Sequence, residues 1–242
     1  MLITHPDFTR RIDLQGAGPC PRPINVDGAS TSFTRLVALR VYTFAQGLTI
    51  DGEAEEDEVF IVVMHGLADI TISQDGYAAD TVALRRDGGS RAVYMPPHAA
   101  YRLIAVTDCD IAYARAQPIG FAFAATREFA LHDRRLDVVG HATGMDLTLI
   151  AIGTGDAPAL ADAGHGAERF LHVRAAGAIN PAITVALGAE RLTDWDAAAL
   201  SESDMPALAV DAGAGEVLVI TAAAGPRDGT MNAVTRVTVK TA

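Results

Sequence analysis

The segment "EAEEDEVFIVVMHG", residues 53–66, joins a run of carboxylates directly to a run of apolar residues. Five acidic residues within positions 53–58 are followed by six β-branched, aromatic or methionine side chains, and the segment closes on His65 and Gly66. A continuous apolar run of this length, bounded by turn signals, is typical of a strand buried on both faces. The segment therefore predicts a buried β-strand whose entrance is a strongly acidic loop.

The rest of the chain shows the same pattern of short strands. Segments rich in Val, Ile, Thr and aromatic residues are separated by Gly, Asp and Pro, as a β-sandwich or β-barrel requires. Helical periodicity is weak, and we consider a helical turn only for "DWDAAALSES" (194–203). We therefore predict an all-β protein.

A repeat emerges when residues 36–66 are laid on residues 147–177 without a gap. In this alignment "DEVFIVVMHG" lies over "ERFLHVRAAG", and each segment is an acidic residue leading a strand that ends in glycine. Further on, we set residues 93–106 against residues 208–221, as two strands around a tight turn. The shared spacing predicts two tandem β domains that arose by duplication; the alternative is that two β-rich stretches align by chance.

The composition limits the classes of partner. The formal net charge of −11 argues against nucleic acid and against an anionic membrane, because both need a basic protein surface. No run approaches the eighteen apolar residues of a membrane span, and the first residues lack the pattern of a signal peptide. Cys20 and Cys109 have no C-x-x-C partner and are expected to be reduced thiols. We therefore expect a cytoplasmic protein, and a homodimer is compatible with the sequence.

Three segments carry a resemblance to a known family. They are "RVYTFAQGLTID" (40–51), "DEVFIVVMHGLADITI" (57–72) and "AVYMPPHAAYRLIAVTDCDIAYARA" (92–116). The order of strand, closing glycine, Tyr-x-Pro-Pro turn and final strand is the cupin pattern, and two copies make a bicupin. Residues 36–116 resemble the N-terminal half of the 5-deoxy-glucuronate isomerase family, the sugar-acid isomerases of inositol breakdown related to 5-keto-4-deoxyuronate isomerase.

The resemblance implies the domain organisation. We predict two tandem cupin-type β-barrels, the first at residues 34–118 and the second, degenerate one at residues 145–242. Residues 119–144, polar and basic in their second part, are predicted to link the barrels. Residues 1–33, interrupted by Gly, Pro and Asn, are predicted to form an extended N-terminal arm.

The resemblance also implies a divalent metal in the second barrel. In the family the ligands are a His-x-His pair, a Glu a few residues later and a third His from a returning strand; imidazole and carboxylate suit a borderline ion that polarises a sugar carbonyl. Here the corresponding loop, residues 159–173, contains His165 and Glu168 but no His-x-His, and residues 210–220 contain no histidine. We therefore predict no bound metal, and we keep His165 and Glu168 as ligand-binding candidates.

The acidic loop occupies the place in the first barrel where a metal-binding cupin carries its histidines. Glu53 and Glu55 fall near the His-x-His positions, and His98 lies on the turn where the other ligand strand returns. Crowded carboxylates beside an imidazole can perform acid–base chemistry on a sugar acid or hold a hard cation. We predict Glu53, Glu55 and His98 as catalytic residues; the alternative is a solvated loop that protects a sheet edge.

Tyr94 and Tyr101 flank the Tyr-x-Pro-Pro turn and are predicted to contact the ligand. The resemblance implies aldose–ketose isomerisation of a sugar acid in carbohydrate catabolism, with catalysis in doubt because the metal ligands are largely missing. The alternative is a bicupin that binds a small ligand or serves assembly without catalysis.

Overall fold

The computed structural model describes most of the chain as strands. The described residues are 1–74, 77–86, 90–118, 127–130, 135–138, 145–158, 160, 166–176, 182–201, 204, 206–222 and 235–241. No helix among them is both long and apolar enough to cross a membrane. The N-terminal strands are β1 (Leu2–Thr4), β2 (Arg11–Leu14), β3 (Gly18–Pro21) and β4 (Ile24–Asp27), followed by a 3-10 helix at Gly28–Thr31.

The following strands form the body of the molecule. The first group is β5 (Leu36–Phe44), β6 (Thr49–Glu53), β7 (Glu58–His65), β8 (Leu67–Gln74), β9 (Tyr77–Arg85), β10 (Ser90–Met95), β11 (Ala100–Ala105) and β12 (Cys109–Ala116). Two short strands come next, β13 (Arg127–Ala130) and β14 (Arg135–Val138). The last group is β15 (Met145–Gly153), β16 (Glu168–Ala175), β17 (Thr184–Leu187), β18 (Glu190–Thr193), β19 (Ala197–Leu200), β20 (Leu208–Ala212), β21 (Ala214–Ala222) and β22 (Thr235–Thr241).

The first barrel, β4–β12, is one curled sheet with the order β4-β5-β12-β7-β10-β9-β8-β11-β6. Its inward side chains form an apolar core that includes Ile61, Ile70 and Leu103. The outward side chains of β5, β7 and β12 form a second core with the other half of the molecule, which includes Phe60 and Phe170. Strand β7 is therefore buried on both faces, which explains why its sequence is apolar without alternation.

The second barrel, β15–β21, places a large sheet opposite a small one. The large sheet has the order β1-β19-β16-β21-β15-β22-β14, and the small sheet has the order β18-β17-β20. Aliphatic side chains fill the space between them, among them Leu171, Val185 and Val219. The all-β bicupin fold that the sequence predicts is confirmed.

The strand order agrees with the predicted repeat over its first part. Strand β12 lies between β5 and β7, and β21 lies between β15 and β16 in the same way. The second part of the alignment is wrong, because residues 214–222 occupy the place of β12 rather than that of β11. The counterpart of β10 is β19, so the turn that corresponds to "PPHAAY" begins at Ser201.

The N-terminal segment contacts both barrels. Strand β1 extends the second barrel beside β19, whereas β4 extends the first beside β5. Between them, β2 and β3 form a hairpin whose Ile12 and Leu14 pack against the first core.

In two regions the structure differs from the sequence prediction or describes only some of the residues. The described residues of 194–203 contain no helical turn: Asp194 and Trp195 form a turn and β19 follows, with all four of its residues buried. Within the predicted linker 119–144, β13 pairs with β10 and β14 pairs with β22. Its other residues lie outside the described part of the chain.

Candidate functional site

A cavity of about 170 Å³ opens at one end of the first barrel. Its wall combines apolar side chains with two arginines, three tyrosines and three carboxylates. The polar side chains are Arg40, Arg115, Tyr42, Tyr101, Tyr113, Asp51, Glu53 and Glu55.

Strand alternation explains how four of these side chains reach the cavity. On β5, Leu39 and Val41 pack into the core between the barrels, so Arg40 and Tyr42 face inward. On β12, Tyr113 lies directly across from Arg40, and Arg115 is the next inward residue. Neighbouring strands thus place two guanidinium groups and two phenol rings on one wall.

Tyr101 and Tyr113 are held in their neutral form. Burial raises the pKa of Tyr113 to about 12, and burial also raises the pKa of Tyr101. The Tyr113 hydroxyl donates to the backbone carbonyl of Glu53 at 3.4 Å. Gly52 makes room for the Tyr101 ring, since a Cβ there would lie 2.6 Å from the hydroxyl oxygen. Near pH 7 the neutral Tyr101 hydroxyl can donate a hydrogen bond to a ligand, whereas the single hydroxyl proton of Tyr113 is directed to Glu53.

Two residues of the acidic run are paired with Arg115. Its Nε donates to Asp57 at 2.7 Å, and its Nη2 donates to Glu55 at 2.7 Å. Burial raises the pKa of Asp57, although Arg115 opposes the shift. Asp51, at the other side of the cavity, is paired with Arg102 at 2.7 Å.

The other acidic residues point in three directions. Glu53 is exposed at the rim of the cavity. The Glu56 side chain is 90% exposed and lies 3.6 Å from His98 Nε2. Glu58 is fully buried on the opposite face of the sheet, where it accepts a hydrogen bond from the Tyr94 hydroxyl at 3.1 Å. Three residues of the acidic run therefore have three environments: Glu53 lies at the cavity rim, Glu56 is exposed to solvent, and Glu58 is buried with Tyr94.

The predicted site residues of the first barrel are only partly brought together. Glu53, Glu55 and Tyr101 line one cavity. His98 belongs to the same turn, with its backbone N–H donating to the Glu55 carbonyl at 2.7 Å, but its ring is largely exposed and does not line the cavity. Tyr94 faces the core between the barrels, where burial and the Glu58 carboxylate raise the pKa of its hydroxyl.

The predicted residues of the second barrel lie elsewhere. The two carboxylate oxygens of Glu168 accept from the backbone N–H groups of Thr34, Arg35 and Leu36 at 2.5, 2.9 and 2.7 Å. This carboxylate thus joins the second barrel to the start of β5. His165 lies outside the described residues.

The described residues do not fit the divalent metal that the family resemblance implies. No group of three or more His, Cys, Asp or Glu side chains among them could hold an ion. The alternation of β16 also directs the buried Arg169 toward the aliphatic interior of the second barrel, where its positive charge disfavours a cation. On the turn that begins at Ser201, Asp204 is engaged with the Ser201 hydroxyl at 2.8 Å.

Sequence reasoning missed Arg40, Tyr42, Tyr113 and Arg115. The signal that could have found them is a charged residue at the inward position of an apolar strand. In "LVALRVYTF" and "DIAYARA", Arg40 and Arg115 share the alternation of neighbouring tyrosines. Polar residues that face a barrel interior at its mouth are ligand-site candidates.

The comparisons with known proteins agree with this fold. The model of the KduI/IolB family matches residues 21–153. No curated protein matches the sequence.

Several solved structures share the fold at low sequence identity. An IolB-like protein from Salmonella typhimurium superposes with a TM-score of 0.64 at 15% identity, covering 94% of each chain. YhhW from Escherichia coli gives a TM-score of 0.62 at 10% identity, covering 92% of this chain and 98% of its own. Oxalate decarboxylase from Bacillus subtilis gives 0.59 at 9% identity, covering 91% of this chain and 76% of its own.

Proposed function

Because this chain belongs to the KduI/IolB family, whose members are sugar-acid isomerases of carbohydrate catabolism, we propose that it binds a sugar acid in the first barrel and catalyses its aldose–ketose isomerisation. The family resemblance favours 5-deoxy-glucuronate as the substrate. The observation that carries the proposal is the cavity of the first barrel, which combines cationic, phenolic and carboxylate groups.

The size of the cavity supports a substrate no larger than a monosaccharide. Pockets for drug-sized ligands measure about 300–1,000 Å³, whereas this one measures about 170 Å³. A single sugar acid with part of its surface in solvent is compatible with that volume. An oligosaccharide would have to lie largely outside the barrel.

The residues of the cavity can perform the proton transfers of the reaction. Aldose–ketose isomerisation moves a proton from one carbon to its neighbour through an enediol, without net oxidation. Glu53, whose carboxylate has no hydrogen bond or ion pair to a described residue, is the base for the carbon-bound proton. The neutral Tyr101 hydroxyl donates to a sugar oxygen, and the Arg115 guanidinium stabilises the negative charge of the intermediate.

A second candidate function is binding of a sugar acid without turnover. Of the described acidic side chains that line the cavity, Glu55 and Asp51 are held by arginines, which leaves Glu53 as the one unpaired carboxylate. The described residues also fit no metal that could polarise the carbonyl. Both observations favour a protein that has kept its ligand and lost its catalysis.

Turnover separates the two candidates. Purified protein is incubated with 5-deoxy-glucuronate and with D-glucuronate, with and without EDTA, and conversion is followed by NMR in deuterated water. The isomerase proposal predicts conversion that EDTA does not abolish and that Glu53→Gln lowers about 100-fold or more. The matched control is Glu56→Gln, which changes an exposed carboxylate of the same turn and should leave the rate unchanged.

The opposite results are equally clear. Wild-type protein that binds the acids but converts neither supports the second candidate. If EDTA abolishes the conversion and a divalent ion restores it, the reaction depends on a metal. That result contradicts the placement of the catalytic site in the first barrel.

A further inference from the structure

The strongest unused feature of the first barrel is the guanidinium group of Arg40. The residue lies in the middle of β5, between two residues that pack into the core between the barrels, and its side chain faces the cavity. It is partly buried, and its Nε atom is buried without a hydrogen-bond partner among the described residues.

No carboxylate pairs directly with Arg40, although Asp57 lies within electrostatic range of its guanidinium. Arg115 on the next strand is held by Glu55 and Asp57, and Asp51 is held by Arg102. No ion pair or hydrogen bond joins the Arg40 side chain to any described residue. The cavity wall therefore carries one guanidinium that has no direct hydrogen-bond or ion-pair partner among the described residues.

An arginine in this state is costly unless something binds to it. Taking a charge out of water without a direct partner destabilises the fold. The planar guanidinium presents parallel N–H groups that match the two oxygens of a carboxylate. Tyr42 and Tyr113, on the same wall, offer ring faces and hydroxyl groups to the remainder of a small polar molecule.

We propose that Arg40 is the specificity-determining residue of the cavity and binds the carboxylate of the ligand, so that the first barrel selects sugar acids over neutral sugars. The inference deepens the proposed function by naming the group that recognises the acid. It concerns binding alone and is measurable whether or not the bound acid is isomerised.

The test compares one acid with its neutral counterpart. Binding of D-glucuronate and of D-glucose is measured by titration calorimetry on wild-type protein, Arg40→Met and Arg40→Lys. The proposal predicts that wild-type protein binds glucuronate at least tenfold more tightly than glucose, that Arg40→Met removes this preference, and that Arg40→Lys restores part of it. Arg191→Met, which alters an exposed arginine of the second barrel, is the matched control and should retain the preference.

A second readout separates a ligand-binding arginine from a structural one. If Arg40 serves the ligand, the ligand-free Arg40→Met protein has a melting temperature equal to or above that of the wild type, because a guanidinium without a direct partner has been replaced by an apolar side chain. A lower melting temperature, equal binding of acid and sugar, or unchanged glucuronate binding by Arg40→Met overturns the inference.

The results also separate this inference from the proposed function. If glucuronate binding depends on Arg40 but no uronate is converted, Arg40 is the carboxylate-binding residue and the isomerase proposal is rejected. If Arg40→Met converts the uronate as fast as the wild type does, the isomerase proposal is supported and Arg40 is not the carboxylate-binding residue.

Discussion

The two barrels share a strand order and differ in what fills them. In the first, the inward positions of β5 and β12 hold two arginines and two tyrosines around a cavity. In the second, the corresponding strands hold aliphatic side chains: Ile150, Ile152, Val217 and Val219. Aliphatic burial contributes about 25 cal/mol per Å² to stability, whereas polar groups around a cavity contribute little. One copy of the repeat thus carries a polar cavity, which we propose as the ligand site, and the other carries a packed aliphatic core.

The largest effect is expected at the carboxylate that joins the second barrel to β5. Glu168→Ala should lower the free energy of unfolding by about 3–5 kcal/mol, because it leaves three backbone N–H groups without their acceptor. Urea denaturation measures the change. Glu168→Gln, which keeps one acceptor oxygen, should lose less.

Glu168→Gln also tests which of the two barrels binds the ligand. If Glu168 were a ligand-binding residue, its replacement by Gln would weaken binding of glucuronate. We expect binding by Glu168→Gln to equal that of the wild type, and a loss of binding would move the ligand site to the second barrel.

A pH-dependent effect is expected from His172, which faces the core between the barrels. Burial, together with the positive charge of the nearby Arg174, lowers the pKa of His172 to about 3. The unfolded chain takes up a proton near pH 6.5 while the folded protein does not, so this contribution to stability is complete above pH 6.5 and is lost as the pH falls toward 3. The slope is about 1.4 kcal/mol per pH unit.

A variant isolates this contribution from that of the carboxylates. Urea denaturation of wild type and His172→Leu at pH 7 and pH 5 gives the difference directly. The variant should lose about 2 kcal/mol less than the wild type over this interval. Equal losses would show that the imidazole is accessible to protons in the folded protein.

Gly52→Ala tests the shape of the cavity. The new Cβ would overlap the Tyr101 ring, so we expect a loss of about 1–3 kcal/mol in stability and weaker glucuronate binding. Calorimetry and thermal melting of the same sample measure both. The matched control is Gly153→Ala in the second barrel, where the nearest atom would lie 3.6 Å away. Unchanged glucuronate binding by Gly52→Ala would show that the ligand does not depend on this wall.

The smallest effect is expected at the surface of the second barrel. Arg191 and Asp211 form an ion pair in which both side chains are about half exposed. Arg191→Met should change the free energy of unfolding by about 0–1 kcal/mol, as measured by urea denaturation. A larger loss would show that this surface supports the core beneath it.

Much of the fold could be predicted from the sequence, because its signal is local. The apolar run of β7 indicates that both faces of this strand are buried, and the Gly and Pro turns divide the chain into strands. The repeat over 36–66 and 147–177 follows from spacing alone. The alignment of 208–221 failed because two strands around a turn look alike wherever they pair in the sheet.

The candidate site was harder to predict, because it depends on which face of each strand turns inward. Nothing local distinguishes Glu53, which lines the cavity, from Glu58, which is buried on the other face and bonded to Tyr94. The sequence likewise does not distinguish Arg40 from the other charged residues, and only the curled sheet places it in the cavity. The sequence shows the residue types, and the curvature of the sheet decides which of them meet.

A crystal structure of the protein with bound D-glucuronate tests the central claim most directly. The account predicts the sugar acid inside the first barrel, with its carboxylate on the Arg40 guanidinium and its ring against Tyr42 and Tyr113. A ligand bound in the second barrel beside Glu168, with the first barrel empty, would contradict it.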